Sequence, residues 1–332
     1  MAERPLTLRD ASHTLPSHPM GNRRIVVAEI PDGPVEPRHF RVEEAPLPVP
    51  GPGEVLCRTL YASIDPVSRA ALRGRTYRGG LGVGDVMDAF TISELEDGTI
   101  VSCQAGWQEW AALPASDVVP IEVLGPLSHH LGVLGLNGLT AYFGLELGAV
   151  RPGETVVVSA AAGATGNVAG QLAKRAGARV VGVASAGKLA VLRRLGFDVA
   201  LDRRALDLKA ACPDGIDVYF DNVGGPLLDA VLPRMAEHGR IVCCGTLSAY
   251  DGESPPGPRA VPGLLISRRL RMQGFVVLDY IERWAMAARE LAAADLVVLE
   301  EIVDGLENAP SALVDVLAGR NVGKRLVRVQ DR

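Results

Sequence analysis

The most regular hydrophobic pattern of the chain lies between residues 155 and 184, where two apolar runs flank a glycine-containing turn. The TVVV run at 155–158 is a β-branched segment of the kind that fills a strand buried on both faces. The turn at 161–166, a helical segment up to Arg175 and a second apolar run at 179–184 follow it. Strand, glycine-rich turn, helix and strand within about 30 residues predict a dinucleotide-binding unit.

The small residues of this turn have separate roles in that interpretation. Gly163 lets the backbone approach a pyrophosphate, and Gly166 lets the helix begin close against the strand. The N–H groups of the helix start are then available to phosphate oxygens. Ala161 stands where such a fingerprint usually has its first glycine, and a tight turn without a ligand is the alternative interpretation.

The alternation of helical and strand patterns continues on both sides of this unit. Helical periodicity occurs at 131–150, 188–195 and 226–235, and strand-like runs occur at 198–201, 216–221, 240–244 and 271–277. Such alternation predicts an α/β fold, a doubly wound parallel sheet with helices on both faces.

The N-terminal third has a different character, with short strands predicted at 24–30, 40–44 and 54–60 and turns between further strands to about residue 119. This pattern predicts a β-rich, barrel-like domain of the kind that shapes a substrate cleft. The end of the chain predicts two helices and a strand at 325–329 that returns to this domain. The predicted divisions are a flexible arm at 1–21, a β-rich domain at 22–130 and 281–332, and an inserted nucleotide-binding domain at 131–280.

Composition narrows the classes of function. A length of 332 residues exceeds the size at which a single core stops growing, so two domains are expected. A net charge of -5 argues against a nucleic-acid partner or a polybasic membrane surface. The sequence has no apolar run of the roughly 18–20 residues that a membrane span needs, and charges occupy the opening MAERPLTLRD. We therefore expect no membrane partner and a cytoplasmic location.

The five cysteines show no C-x-x-C spacing, which favours buried small hydrophobes over a disulfide or a metal site. Cys243 and Cys244 are adjacent in a predicted strand, so their side chains should point to opposite faces of the sheet. His129 and His130 are adjacent as well, and side chains that face apart chelate one ion poorly.

Several separate motifs, in order, resemble one family. They are EEAPLPVPGPGEVLCRTLYASIDP, GLTAYFGL, AAGATGNVAGQLAK, DVYFDNVGG, RLRMQGF, and IVDGLENAP followed by GRNVGKRLVRV. Between residues 22 and 329 the chain resembles the zinc-free branch of the medium-chain dehydrogenase/reductase superfamily that contains prostaglandin reductases, leukotriene B4 dehydrogenases and bacterial alkenal or curcumin reductases. The resemblance implies a Rossmann domain inserted into a GroES-like barrel domain, a homodimer, and NADPH-dependent reduction of the conjugated double bond of enals and enones.

The end of the second nucleotide-binding strand indicates which nicotinamide cofactor the chain binds. An NAD-specific fold places an acidic residue there to hold the ribose 2′-hydroxyl, but the ASAGK segment at 184–188 has no carboxylate. The resemblance implies that Lys188 meets the 2′-phosphate of NADP(H), with Ser185 beside it. Arg203 replaces a tyrosine that is frequent in the family, and a guanidinium suits a phosphate at least as well. Solvated surface charges are the alternative interpretation of Lys188 and Arg203.

The nicotinamide half is assigned by the same resemblance. The full set of expected cofactor-binding residues is Ala162, Gly163, Ala164, Thr165, Gly166, Ser185, Lys188, Arg203, Asn222, Cys244, Gly245, Thr246, Leu247, Ser248, Phe275, Val276, Val277 and Asn321. Taken alone, Asn222 is equally interpreted as a turn residue.

Hydride addition to an enone leaves negative charge on the carbonyl oxygen, which a hydrogen-bond donor stabilises. Tyr250 matches the family tyrosine near the nicotinamide and is the expected catalytic residue. A tyrosine that merely forms an apolar wall, with the ribose hydroxyl of the cofactor as donor, is the alternative. Val67 stands where the family usually has a second tyrosine, so the substrate is left open. Quinone reduction and NADPH binding without turnover are the alternative functions.

We expect the activity to need no metal. Zinc-dependent members of the superfamily use cysteine and histidine ligands, and the corresponding ASIDP segment at 62–66 contains neither. Turnover measured after dialysis against a chelator should equal that of the untreated protein. Complete loss of turnover, restored by added zinc, would contradict this prediction.

Overall fold

The computed structural model describes residues 21–74, 79–250, 257–258 and 260–332. The strands in these ranges are β1 (Asn22–Val27), β2 (Phe40–Ala45), β3 (Glu54–Ile64), β4 (Thr91–Glu94), β5 (Ile100–Cys103), β6 (Trp110–Pro114), β7 (Val119–Pro120), β8 (Thr155–Val158), β9 (Arg179–Ala184), β10 (Val199–Asp202), β11 (Ile216–Asp221), β12 (Met235–Cys243), β13 (Arg271–Gly274), β14 (Glu300–Asp304) and β15 (Lys324–Arg328).

The α-helices in the same ranges are α1 (Ser68–Ala71), α2 (Leu136–Gly148), α3 (Ala164–Arg175), α4 (Leu189–Arg194), α5 (Leu208–Ala211), α6 (Gly225–Val231), α7 (Leu247–Tyr250), α8 (Val261–Arg268), α9 (Trp284–Ala293) and α10 (Ala309–Leu317). No helix among the described residues is long and apolar enough to cross a membrane. The expected flexible arm, residues 1–21, lies outside the described residues except for Gly21.

The central sheet has six parallel strands in the order β10-β9-β8-β11-β12-β13. The TVVV run forms β8, whose Val157 pairs with Val181 on one side and with Tyr219 on the other. All three residues are fully buried, because helices cover both faces of the sheet. The predicted doubly wound α/β fold is therefore confirmed, and the strand order reverses at β8.

The second sheet combines the two ends of the described chain. Its order is β14-β15-β3-β4-β5-β7, and β6 also pairs with β3. Strand β15 lies antiparallel to β3, with Leu326 opposite Ser63, so the last strand returns to the N-terminal part as expected. Strands β1 and β2 form a separate antiparallel pair.

The vicinal cysteines lie on opposite faces of the parallel sheet, as their adjacency predicts. Cys243 packs with Ile241 in the cluster on one face, and Cys244 packs with Val242 in the cluster on the other. Low-polarity surroundings raise the pKa of the Cys243 thiol to about 11 and that of the Cys244 thiol to about 12. Both thiols are therefore protonated at neutral pH and pack as small apolar groups.

Two predicted bounds are wrong: the end of the helix predicted at 226–235 and the start of the strand predicted from residue 240. Helix α6 ends at Val231, and β12 already begins at Met235, which pairs with Ile216. Pro233 has no N–H to continue a helix. A register irregularity with His238 at φ 62° then interrupts the apolar pattern that would have revealed the longer strand. Strand β14 was not predicted.

Helix α9 belongs by its contacts to the nucleotide-binding half. Ala287 and Leu291 are buried in the same cluster as Leu139 and Phe143 of α2. Arg283, just before α9, forms an ion pair with Glu146 of α2. We therefore propose that the second domain boundary lies after α9 and not at residue 280.

Close approach of α3 to β8 requires a glycine at position 166. A Cβ there would lie 2.4 Å from the carbonyl oxygen of Ala160, which is itself held at φ 47°. Gly263 in α8 is a matched control, because a Cβ on Gly263 would have no atom within 4 Å.

We expect Gly166→Ala to lower the free energy of unfolding by about 1–3 kcal/mol, since the backbone must shift to relieve the overlap. Gly263→Ala should leave stability unchanged or raise it by up to about 1 kcal/mol, the helix-propensity difference between the two residues. Chemical denaturation of both variants is the measurement, and equal stabilities would show that α3 moves without cost.

Candidate functional site

The expected cofactor residues lie at one edge of the parallel sheet, where its strands end. Those of the glycine turn follow β8, Ser185 and Lys188 follow β9, Arg203 follows β10, Asn222 follows β11, the segment 244–248 follows β12, and 275–277 follows β13. Asn321 lies in the loop before β15. Ligands of open parallel sheets bind at this edge, beside the point where the strand order reverses.

The glycine-rich turn presents the start of α3 to this edge. Gly163 is the N-cap residue of α3, and its N–H donates to the carbonyl of Ala160 at 2.8 Å. Ala164, Thr165 and Gly166 form the first turn of the helix, whose amides have no intrahelical acceptor. A Cβ on Gly163 would lie 3.1 Å from the Ala160 oxygen, a tight contact that glycine avoids. This geometry fits a pyrophosphate.

Two cationic side chains stand where an NAD-specific protein has an acid. Lys188 is half-buried, and its ammonium donates to the carbonyl of Asn321. Burial lowers the pKa of Lys188, the charge of Arg203 lowers it further, and Glu301 opposes these effects. The Arg203 side chain is exposed. Its backbone N–H donates to the carbonyl of Ala184, at the end of β9, at 2.8 Å. A phosphate between the two cations would relieve their repulsion, so the residues present fit NADP(H).

Asn222 joins the ends of the two central strands. Its side-chain amide donates to the carbonyl of Ser159 at 2.7 Å, and its backbone N–H donates to the Ser159 hydroxyl at 2.8 Å. The side-chain nitrogen therefore has a structural role, beyond that of an ordinary turn residue. Contact of Asn222 with a cofactor stays a prediction.

Asp221 is a site residue that the sequence analysis missed. Its Oδ1 accepts from the Tyr219 hydroxyl at 2.9 Å, the Ser159 hydroxyl at 3.2 Å and the N–H groups of Val223 and Gly224, both at 2.9 Å. The residue is only 2% exposed, and four donors compensate the desolvation of its charge. Burial and the Asp221 charge raise the pKa of Tyr219 well above its usual value. An acid that directly follows the apolar residues 218–220 of the strand was the available signal.

The loop after β12 is bonded residue by residue to the loop after β11. The N–H groups of Cys244 and Gly245 donate to the Asp221 carbonyl at 2.8 and 3.1 Å. Leu247 N–H donates to Asn222 O at 3.1 Å. Ser248 donates to Val223 O through its N–H at 3.1 Å and its hydroxyl at 2.7 Å. Thr246, within this loop, is exposed.

These bonds hold α7, at whose end Tyr250 lies half-buried. Tyr250 thus lies beside the loops that the family resemblance assigns to the nicotinamide, and its catalytic role stays a prediction. Residues 251–256 after it lie outside the described residues.

The loop after β13 contributes apolar side chains. Phe275 packs edge-on against Tyr280, with ring centroids 6.2 Å apart, and Val277 contacts the same buried cluster. Val276 is 40% exposed at the sheet edge. Of the three, Val276 therefore has the most side-chain surface available to a ligand.

The described residues contain no cluster of three or more His, Cys, Asp or Glu side chains with metal-binding geometry. His129 and His130 do face apart: His129 approaches Glu300 at 3.8 Å, whereas His130 accepts a hydrogen bond from Leu124 N–H at 3.2 Å. Burial lowers the pKa of His130.

The fold combines a doubly wound sheet, with a glycine turn where its strand order reverses, and a second, largely antiparallel sheet. This combination is typical of nucleotide-dependent oxidoreductases. Two family models match the chain: "Zinc-binding dehydrogenase" over residues 164–293 and "N-terminal domain of oxidoreductase" over 23–121. The first match includes α9, in agreement with its packing.

Individual relatives cover nearly the whole chain. The NADPH-dependent curcumin reductase of Escherichia coli is 41% identical, over 93% of this chain and 97% of that protein. The NADP(+)-dependent 2-alkenal reductase of Nicotiana tabacum is 38% identical, over 84% and 88%. The crystal structure of CurA from Vibrio vulnificus in complex with NADPH is 35% identical over 93% of this chain and 100% of that chain, with a TM-score of 0.87. The chain therefore belongs to the medium-chain dehydrogenase/reductase superfamily, as the sequence motifs indicated.

We expect Lys188→Ala to weaken NADPH binding by about 1–3 kcal/mol, the range for a hydrogen bond to a charged group, and to leave NADH binding nearly unchanged. Lys174→Ala is the matched control, since Lys174 pairs with Asp198 on the surface of the same domain. Fluorescence titration with both nucleotides is the measurement. Equal losses for NADPH and NADH would assign Lys188 a structural role through its bond to Asn321.

Proposed function

We propose that the protein uses NADPH to reduce the carbon–carbon double bond of α,β-unsaturated aldehydes and ketones. The observation that carries the choice of cofactor is the pair of cations, Lys188 after β9 and Arg203 after β10, together with the lack of a carboxylate in the segment 184–188 at the end of β9. Near-full-length similarity to a curcumin reductase and a 2-alkenal reductase supports the same acceptor class.

Each part of the cofactor has a candidate partner in the chain. The amides of the glycine turn would hold the pyrophosphate, and Lys188, Ser185 and Arg203 would hold the 2′-phosphate. The loops after β11, β12 and β13, together with Asn321, would hold the nicotinamide half. When bound, NADPH supplies the hydride.

The contribution of the chain to the chemistry is placement and hydrogen bonding. Asp221 fixes the loop after β11, that loop fixes α7, and α7 carries Tyr250. The Tyr250 hydroxyl would donate to the carbonyl oxygen of the acceptor, where negative charge develops in the transition state. This role needs no metal ion.

A homodimer is proposed as the assembly. Strand β13 ends the order of the described parallel sheet, and Arg271, Gln273 and Gly274 in it are exposed. Nearby, Ile266 of α8 is 76% exposed. An open strand edge beside apolar surface supports pairing with a second copy of the chain. The cytoplasmic location stays a prediction.

The test of the function is NADPH oxidation measured against a panel of enals, enones, quinones and the saturated carbonyl analogues of the same enones. We expect turnover with enals and enones and none with the saturated analogues. Turnover with quinones alone would identify a quinone reductase. Tight NADPH binding without turnover of any acceptor would identify a non-catalytic nucleotide-binding protein.

We expect Tyr250→Phe to lower kcat with an enone about tenfold while the affinity for NADPH changes little. The hydroxyl acts on charge that is present mainly in the transition state, and phenylalanine keeps the ring and its packing. The expected loss is smaller than the roughly 10²–10³ of a sole oxyanion donor because the ribose hydroxyl shares the role. An unchanged kcat across several enones would remove Tyr250 from the mechanism.

A further inference from the structure

The short segment from Asn321 to Lys324 connects the expected cofactor site with the β-rich part of the chain. At its start, Asn321 O accepts from the Lys188 ammonium, and the Asn321 side-chain amide donates to Gly323 O at 2.8 Å. Gly323 N–H then donates to the carbonyl of Ala162 at 2.8 Å, within the glycine-rich turn. The segment is thus bonded at two points to residues expected to hold phosphates.

The path of this segment is fixed by its backbone. Gly323 has φ 69°, and a Cβ on it would lie 2.0 Å from the carbonyl oxygen of Leu299. The same Leu299 oxygen accepts from Lys324 N–H at 2.9 Å. A side chain at position 323 is therefore excluded, and Lys324 leaves the turn in one direction.

The side chain of Lys324 links this segment to the end of β3. Its ammonium donates to Ser63 Oγ at 2.6 Å, to Ile64 O at 3.5 Å and to Asp65 Oδ1 at 2.5 Å. Three acceptors match the three N–H donors of an ammonium group. The Ser63 hydroxyl also donates to the other oxygen of Asp65, so the three side chains form one network.

Because the network is buried, the ion pair between Lys324 and Asp65 adds little net stability to the fold. The Lys324 side chain is 4% exposed, whereas that of Asp65 is 24% exposed. The cost of desolvating a buried pair largely cancels the attraction between its charges, so well-packed apolar residues of the same size would stabilise the fold equally well. What the pair does supply is a directional constraint between the glycine-rich turn and the end of β3, which leads to Val67, the position where the family usually has a tyrosine.

We propose that Lys324 is a positioning residue that holds the end of β3 at a fixed place relative to the bound cofactor. The ammonium does this by bonding Ser63 and Asp65 from a segment that is itself bonded to the glycine-rich turn. Through it, cofactor binding at 160–166 orders the segment 63–69. The inference rests on the proposed function, because it requires NADPH at the glycine-rich turn.

The test uses the full-length variant Lys324→Met/Asp65→Asn, which removes both charges of the pair with little change of shape. Lys174→Met is the control, since it removes a surface lysine of the nucleotide-binding half whose Nζ lies 2.9 Å from Asp198. Amide hydrogen exchange is measured with and without saturating NADPH, together with NADPH affinity by fluorescence and kcat/KM for an enone.

In the wild type and the control, NADPH should slow exchange in both 160–166 and 63–69. In the double variant it should bind with nearly wild-type affinity and slow exchange in 160–166 alone, while kcat/KM falls by about 10²-fold, the effect of a misplaced reacting group. If the double variant does not fold, Lys324→Gln, which keeps an N–H donor but removes the charge, takes its place.

Two other outcomes have distinct meanings. Protection of 63–69 by NADPH in the double variant, equal to that in the wild type, would overturn the role of Lys324. Absence of NADPH protection at 160–166 in the wild type itself would contradict the proposed function, and with it the inference. The exchange measurement needs no turnover, so failure to find an acceptor leaves it informative.

Discussion

The Asp221 carboxylate accepts four hydrogen bonds at the end of β11, and the arrangement of the candidate site follows from them. A charge with so little access to solvent is tolerated only where donors surround it, so the backbone from Val223 to Gly224 must turn toward it. The carbonyls of Asp221, Asn222 and Val223 then face the loop after β12, whose N–H groups donate to them in sequence order. The placement of α7 is therefore a consequence of one buried acid.

Electrostatic character is divided between the two ends of the proposed cofactor site. Lys188 and Arg203 supply positive charge beside β9 and β10, and the first turn of α3 adds its N–H groups. At the end of β12, burial among apolar side chains and, second, the charge of Asp221 raise the pKa of the Cys243 and Cys244 thiols. The polyanionic phosphates of NADPH match the first end, and its uncharged reduced nicotinamide ring matches the second.

Much of this arrangement was predictable from the sequence because it depends on local pattern. Local pattern predicts the TVVV strand, the glycine turn and the apolar strands at 179–184 and 216–221. Because these strands are parallel, the loops that follow them lie at one edge of the sheet. The bond from Ser159 to Asp221 and the pairing of Lys324 with Asp65 were not predictable, since these partners are distant along the chain. The early start of β12 was hidden because His238 and Gly239 interrupt its apolar pattern.

The antiparallel pairing of β15 with β3 joins Leu326 to Ser63 across nearly the whole chain. Closing so long a loop before any contact is gained is slow, so this step falls late in folding. On the ribosome, the nucleotide-binding half is complete before β15 emerges, and until then β3 lacks one neighbour along an edge able to pair with other chains. The nascent N-terminal half is consequently open to pairing with other chains along this edge until the last strand covers it.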